Sequence, residues 1–249
     1  MQALIFRGIV IIKKRKHGKI NITPFELIPW ILGNFKSIVE LKEVIYNINL
    51  INISFSESMQ LTPLHWMISD KKDCIVLEQT KEGLNIYDNA IGVLTNNPPF
   101  WYHCANINNY LNLTPKNVQN RFSDKIRLSE YGSGMGAIGL PGDNSPSSRF
   151  IRAAFNKLNS VSETSEEESV SQFFHILDSV AMVKGSNIDK NKYDFTVYSC
   201  CINATKGIFY YKTYENNQIT AVKMNEDNIN SKELVIYELE RKQQINYCN

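Results

Sequence analysis

Apolar and polar positions along the chain alternate twice between helical and extended spacing. Thr23-Pro24-Phe25-Glu26 is a capping box with proline at the first helical position, and the helix it opens should run through Trp30 and stop near Gly33. Ser37-Ile38-Val39-Glu40 is a second box, opening a short helix to about Tyr46. Four short runs rich in β-formers follow, at 64–69, 74–79, 84–87 and 92–95. Polar turns at 70–73, 81–83 and 88–89 split them, so they read as an antiparallel meander. Residues 105–131 are mostly polar, which predicts a short helix near 107–113 and then a long excursion.

Residues 148–156 are helical in pattern, and Ser165-Glu166-Glu167-Glu168 is a third capping box whose acids suit a helix N-terminus. That helix is expected to pack through Phe173, Phe174, Leu177 and Val180. The remainder is read as strand at 196–203, 207–214, 218–224 and 234–239. Helices, strands, helices and strands again predict an α+β protein with two antiparallel sheets and helices outside them, a four-layer αββα order rather than a parallel βαβ series.

Composition narrows the picture. The 249 residues are 43% hydrophobic and 21% charged, with formal net charge +2, an ordinary globular balance with no general case for nucleic acid or a membrane. Five cysteines without regular spacing or a secretory signal favour free thiols in the cytoplasm. The apolar stretch 3–12 is too short to span a bilayer, and the basic run 13–19 comes after it, the reverse of a signal peptide. Residues 1–22 are therefore set apart as a divergent, solvated and poorly ordered basic segment before a domain at 23–249.

Three segments carry candidate chemistry. Gly92-Val93-Leu94-Thr95-Asn96-Asn97-Pro98-Pro99-Phe100 ends a predicted strand in two asparagines and two prolines, forcing the backbone out of a sheet. An asparagine there either bonds its own turn or aims a neutral NH₂ donor at an oxyanion. The glycines of Tyr131–Gly136 and of Gly139-Leu140-Pro141-Gly142-Asp143 superficially echo a phosphate loop, but no strand precedes them and Pro141 follows, so they are read as permitting tight turns. Arg149 and Arg152 share a face at a helix start, suited either to a surface ion pair or to holding a reacting group.

The strings LTNNPPF, GSGMG, LPGD and SSRFIRAAF, in that order, resemble the choloylglycine hydrolase family, which includes bile salt hydrolases and penicillin V acylases. LHWMISD, FFHILDSVAMVKG and GIFYYKTYENNQI resemble its bile salt hydrolases. The resemblance implies the αββα fold of N-terminal-nucleophile hydrolases and cleavage of the amide joining a bile acid to glycine or taurine. A penicillin V acylase specificity is the alternative within the enzyme class. The resemblance also implies tetramers, with 105–131 as a candidate contact, and neither metal nor organic cofactor. Asn96 matches the asparagine that helps bind the oxyanion, and Arg149 the arginine beside the nucleophile. Asn97, Phe100, Gly142 and Asp143 are expected to shape the site, and Trp101 replaces an acid between aromatics.

The family's nucleophile is an N-terminal cysteine, whereas this sequence starts Met1-Gln2-Ala3, and residues 4–8 replace a Leu-Asn-Phe-Pro-Gly-like turn. The expectation is a chain truncated before its nucleophile, inactive alone, and incomplete in fold because N-terminal strands are missing. A non-catalytic protein that keeps a bile-acid pocket or joins an oligomer is the reading outside the enzyme class. Cys104 follows His103, but on a strand the two would point apart, so neither it nor the other cysteines is expected to take over.

Overall fold

The computed structural model describes residues 2–5, 14–58 and 61–248. The chain is α+β and divides into two compact units, 1–154 and 155–249. Most of residues 4–8, of the apolar stretch 3–12 and Lys13 of the basic run lie outside the described residues.

The first unit begins with β1 (Gln2–Ile5) and β2 (Ile20–Ile22). The basic residues 14–19 are exposed, as expected, but not loose. Asn21 takes the Lys16 N–H at 2.8 Å and donates to the Lys16 carbonyl at 2.8 Å, and Asn49 donates to the Lys14 carbonyl at 3.0 Å. Next come α1 (Leu27–Asn34), α2 (Ile38–Val44) and β3 (Ile48–Leu50), which pairs parallel with β2. The second capping box forms as read, Ser37 accepting from the Glu40 N–H. In the first, the Glu26 carboxylate reaches back to Thr23 N and Oγ1 at 3.0 and 2.7 Å, and regular helix starts only at Leu27.

The meander follows as β4 (Leu64–Ser69), β5 (Cys74–Gln79) and β6 (Leu84–Asp88), giving a sheet of order β1-β4-β5-β6 with every pair antiparallel. Alternation assigns its faces. Trp66, Ile68, Ile75 and Leu77 pack with Leu27, Ile31, Ile38, Leu41 and Ile45 of the α1–α2 region. Val76 joins Val93, Leu94, Phe100, Phe150 and Ile151 on the other face. Burial from both sides explains the unbroken apolar run 74–77 in β5.

Residues 92–95, expected as a strand, are irregular. Buried Asn89 supplies what a ladder would have: its Nδ2 donates to the Val93 carbonyl at 3.0 Å and its Oδ1 accepts the Gly92 N–H at 2.8 Å. Gly92, at φ 65°, makes that loop possible. Residues 100–106 form a helix, α3 (Phe100–Asn106), which the sequence reading did not foresee. The expected helix near 107–113 is a single 3₁₀ turn continuing it, Ile107–Tyr110. The unit ends in α4 (Pro146–Asn159), which starts earlier than read and buries Ser148, Phe150, Ile151 and Ala154.

In the second unit α5 (Glu166–Asp178) is capped by Ser165, which accepts from the Glu168 N–H. Its buried residues are Val170 and Phe174, one turn apart, while Phe173 is exposed and Val180 lies beyond the helix, so the core stripe is rotated from the expected one. A two-residue pair, β7 (Ile188–Asp189) and β8 (Lys192–Tyr193), precedes β9 (Tyr198–Asn203), β10 (Ile208–Thr213) and β11 (Thr220–Lys223), which form an antiparallel sheet of order β11-β10-β9. Glu166 joins α5 to this sheet: its carboxylate pairs with Lys206 and accepts from Tyr210 Oη at 2.8 Å and Asn203 Nδ2 at 2.6 Å. Lys206, then those two donors, hold Glu166 down at about 2, and the carboxylate pushes Tyr210 up to about 12. Residues 234–239 are not a strand. The tail is anchored beside them instead, Glu240 N donating to Tyr211 Oη at 3.0 Å and its carbonyl accepting from Asn216 Nδ2 at 3.2 Å.

Candidate active site

The three segments singled out in the sequence meet in the first unit. Thr95 and Asn96 leave the Asn89 loop, and Thr95 Oγ1 donates to the carbonyl of Pro146, the first residue of α4, at 2.9 Å. One turn into α4, Arg149 Nη2 donates to Asn96 Oδ1 at 2.8 Å, and Arg149 Nε donates to the Asn144 carbonyl at 3.1 Å. With Oδ1 engaged, the Asn96 amide must present its NH₂ in the opposite direction.

The LPGD turn is fastened to the same helix. Arg152 Nη1 donates to the carbonyls of Pro141 and Asp143 at 2.8 and 2.6 Å. The Asp143 carboxylate accepts from Ser145 N at 2.9 Å and Ser148 Oγ at 2.5 Å, and the hydroxyls of Ser145 and Ser148 keep it far below the usual carboxylate range. Arg149 and Arg152 thus act on one side of α4, where they bind loop carbonyls and an amide.

Phe100 is buried and packs between Tyr87, with centroids 5.8 Å apart, and Phe150, at 6.3 Å, so it belongs to the core beneath the loop. Asn97 is half-buried in the loop itself. Trp101 is exposed, edge-on to Tyr102. Gly142 is exposed, its φ is not positive, and a methyl group there would meet nothing within 4 Å. The glycine that cannot change is Gly136, where a Cβ would fall on the carbonyl oxygens of Lys116 and Thr114. Gly134 and Gly139 supply positive φ.

The sequence reading missed a buried polar group under the loop. Glu78 on β5 is completely buried, and its Oε1 accepts the Phe100 N–H at 2.9 Å and the His65 Nδ1–H at 3.0 Å. His103 on α3 is also fully buried and has its Nε2 3.1 Å from the Asn96 carbonyl. His103 and Cys104 lie on a helix rather than a strand, but neighbouring side chains on a helix do not face each other either, so the conclusion about Cys104 stands. That thiol packs against the core cluster, and burial, then the Glu78 charge, pushes it up, which makes it a poor nucleophile. Burial likewise raises Cys200 and Cys201. A glutamate inside an apolar strand was the available signal, since such a residue demands a partner.

Among the described residues no cluster of His, Cys, Asp and Glu could hold a metal, and no helix is long and apolar enough to cross a membrane.

The chain falls in the class of hydrolases that act on linear amide C–N bonds. It belongs to the choloylglycine hydrolase family, whose model, described as linear amide C-N hydrolases, choloylglycine hydrolase family, matches residues 1–237. A bile salt hydrolase/transferase of Lactiplantibacillus plantarum is 53% identical over 237 residues, 95% of this chain and 73% of that protein. The crystal structure of a mutant conjugated bile acid hydrolase from Clostridium perfringens superposes with a TM-score of 0.89 at 44% identity, covering 99% of this chain and 76% of that one. A penicillin V acylase from Agrobacterium tumefaciens shares the fold alone, with a TM-score of 0.63 at 16% identity over 87% of this chain and 62% of that one.

Proposed function

We propose that these 249 residues are the oxyanion-binding part of a hydrolase that cleaves the amide between a bile acid and glycine or taurine. The observation that carries this is the 2.8 Å bond from Arg149 to Asn96 Oδ1, in a chain 53% identical to a bile salt hydrolase/transferase. When a thiolate attacks the scissile carbonyl, its oxygen becomes an oxyanion, and Asn96 Nδ2 is the donor that meets it. Arg149 fixes the amide orientation and brings positive charge beside the thiolate. Asn97, Gly142 and Asp143 border this pair, and Phe100 supports the loop from below. The bile-salt reading is preferred over penicillin V because that neighbour shares only 16% identity.

In this reading the nucleophile is not among these residues, which the burial-raised thiols of the partly buried Cys104, Cys200 and Cys201 support. The chain alone therefore does not turn substrate over. The α+β composition and the match to the conjugated bile acid hydrolase structure support the αββα order for the active protein. Exposed Leu111, Phe122 and Tyr131 support 105–131 as a subunit contact in a tetramer. The five unbridged cysteines support a cytoplasmic location.

The test is release of glycine and taurine from glycocholate and taurocholate by the purified chain, beside the same chain joined to a family segment that begins with cysteine. Turnover only by the joined protein is expected. Thiol-sensitive turnover by the 249 residues alone would overturn the assignment of the nucleophile elsewhere, and failure of both would overturn the substrate reading.

A further inference from the structure

The Asn96 side chain has a fixed direction only if its backbone is fixed, and the residues leading into it, 92–95, are irregular. Two contacts clamp the loop. At the far end of the loop, buried Glu78 accepts the Phe100 N–H and so fixes where α3 begins. At the near end, His103 reaches back from α3: its Nε2 lies 3.1 Å from the Asn96 carbonyl and 3.5 Å from Thr95 Oγ1.

The chemistry of these two neighbours determines the ring's tautomer. A carbonyl oxygen can only accept. The Thr95 hydroxyl already spends its proton on the Pro146 carbonyl, so it too can only accept from the ring. Nε2 must therefore carry the hydrogen. Nδ1 is buried with no hydrogen-bond partner among the described residues, which suits a neutral ring with the proton on the other nitrogen. The ring is fully buried and stacks on Phe150, centroids 4.7 Å apart and planes 13° from parallel. Phe150 directly follows Arg149 on α4. One imidazole thus touches the backbone of Asn96 on its edge and the helix that carries Arg149 on its face.

We propose that His103 is the positioning residue of this site, its Nε2–H holding the Asn96 carbonyl so that the Asn96 amide meets Arg149 on one side and the reacting carbonyl on the other. It touches no substrate. The proposal rests on the reading above for the purpose of this aim, and its test separates the two.

The 249-residue chain is labelled with ¹⁵N in histidine, asparagine and arginine. Three forms are compared: the unsubstituted chain, His103→Gln, which returns an N–H near the position of Nε2, and His103→Phe, which keeps the stack on Phe150 and removes the donor. In the unsubstituted chain the ring is expected to show a protonated Nε2 and a bare Nδ1. His103→Phe is expected to shift or broaden the Asn96 side-chain amide and Arg149 guanidinium signals, and His103→Gln to restore them even if both variants melt lower. A merely structural role would move the melting temperature and leave those signals in place. In the joined, nucleophile-bearing protein, kcat should fall about 10- to 100-fold in His103→Phe with KM little changed, and recover in His103→Gln. Unmoved Asn96 signals in a folded His103→Phe chain would overturn the proposal. If that variant does not fold, the tautomer of the unsubstituted chain decides, a proton on Nδ1 being the overturning result. None of the spectra needs substrate, so displaced Asn96 signals in a protein that never cleaves bile salts would sink the functional reading and leave the positioning role standing.

Discussion

Arg149 Nη2 and Asn96 Oδ1 are 2.8 Å apart although 53 positions separate the residues. The bond joins an irregular loop to the first turn of a helix and turns an ambiguous amide into an oriented donor. An Asn96→Asp substitution keeps a partner for Arg149 but replaces the donor by an acceptor. In the nucleophile-bearing protein, steady-state hydrolysis of glycocholate should fall about 10²- to 10³-fold, the cost of losing one oxyanion donor. The melting temperature should change by only a few degrees. Full activity in Asn96→Asp would remove Asn96 from the chemistry.

His103 makes stability sensitive to mild acid. Burial lowers its affinity for a proton from the ordinary value of 6.5, opposed by the Asn96 carbonyl and the Glu78 charge and reinforced by His65. The folded ring then binds fewer protons than the unfolded one, so stability rises with pH and is lost as pH falls below about 6.5. Asp143 and Glu166, both depressed, contribute stability above their unfolded values of 3.8 and 4.5 and lose it only in stronger acid. Urea midpoints measured against pH should therefore fall in two stages. His103→Gln, which does not titrate, should flatten the upper one, and an unaltered upper slope would argue against a buried neutral ring.

Glu78 should be far less tolerant of truncation than of neutralisation. Glu78→Ala strands the Phe100 N–H and the His65 Nδ1–H in the core and should cost about 3–5 kcal/mol. Glu78→Gln retains a carbonyl for both donors and should cost about 1 kcal/mol. Equilibrium unfolding of the two variants distinguishes them, and equal losses would mean that the cluster is held by packing alone.

The two loop glycines should separate cleanly. Gly136→Ala drives a methyl group into the backbone oxygens of Lys116 and Thr114 and should cost about 1–3 kcal/mol. It should also speed hydrogen exchange at the Thr114 amide, which donates to the Gly136 carbonyl at 3.0 Å. Gly142→Ala meets open space and should stay within about 0.5 kcal/mol of the unsubstituted chain. A large loss of stability at Gly142 would show that its backbone is needed as glycine.

Signals that act over one turn were legible. Ser37 and Ser165 cap the helices they were expected to cap, because a hydroxyl and an N–H three residues on need nothing else to meet. The meander at 64–88 was legible for the same reason, since short polar turns set the register of its hairpins. Residues 92–95 and 234–239 have β-forming composition and are not strands, because the first is occupied by the Asn89 side chain and the second pairs with no strand among the described residues. Conversely, residues 100–106 carried no helical period, yet form α3 where Pro99 and the Glu78 carboxylate set its start.

By itself the sequence determined the α+β class, the helices capped by Ser37 and Ser165, the antiparallel meander at 64–88 and the ordered motifs that bring Asn96 and Arg149 to notice. Each of these follows from residues within a few positions of one another or from a string read in order. Only the tertiary structure decided that Arg149 grips Asn96, that Glu78 and His65 lie buried beneath the loop, and that His103 faces inward from a helix. Those arrangements depend on burial, and a carboxylate or imidazole acquires its partner only when distant segments close around it and exclude the water that would otherwise take its place.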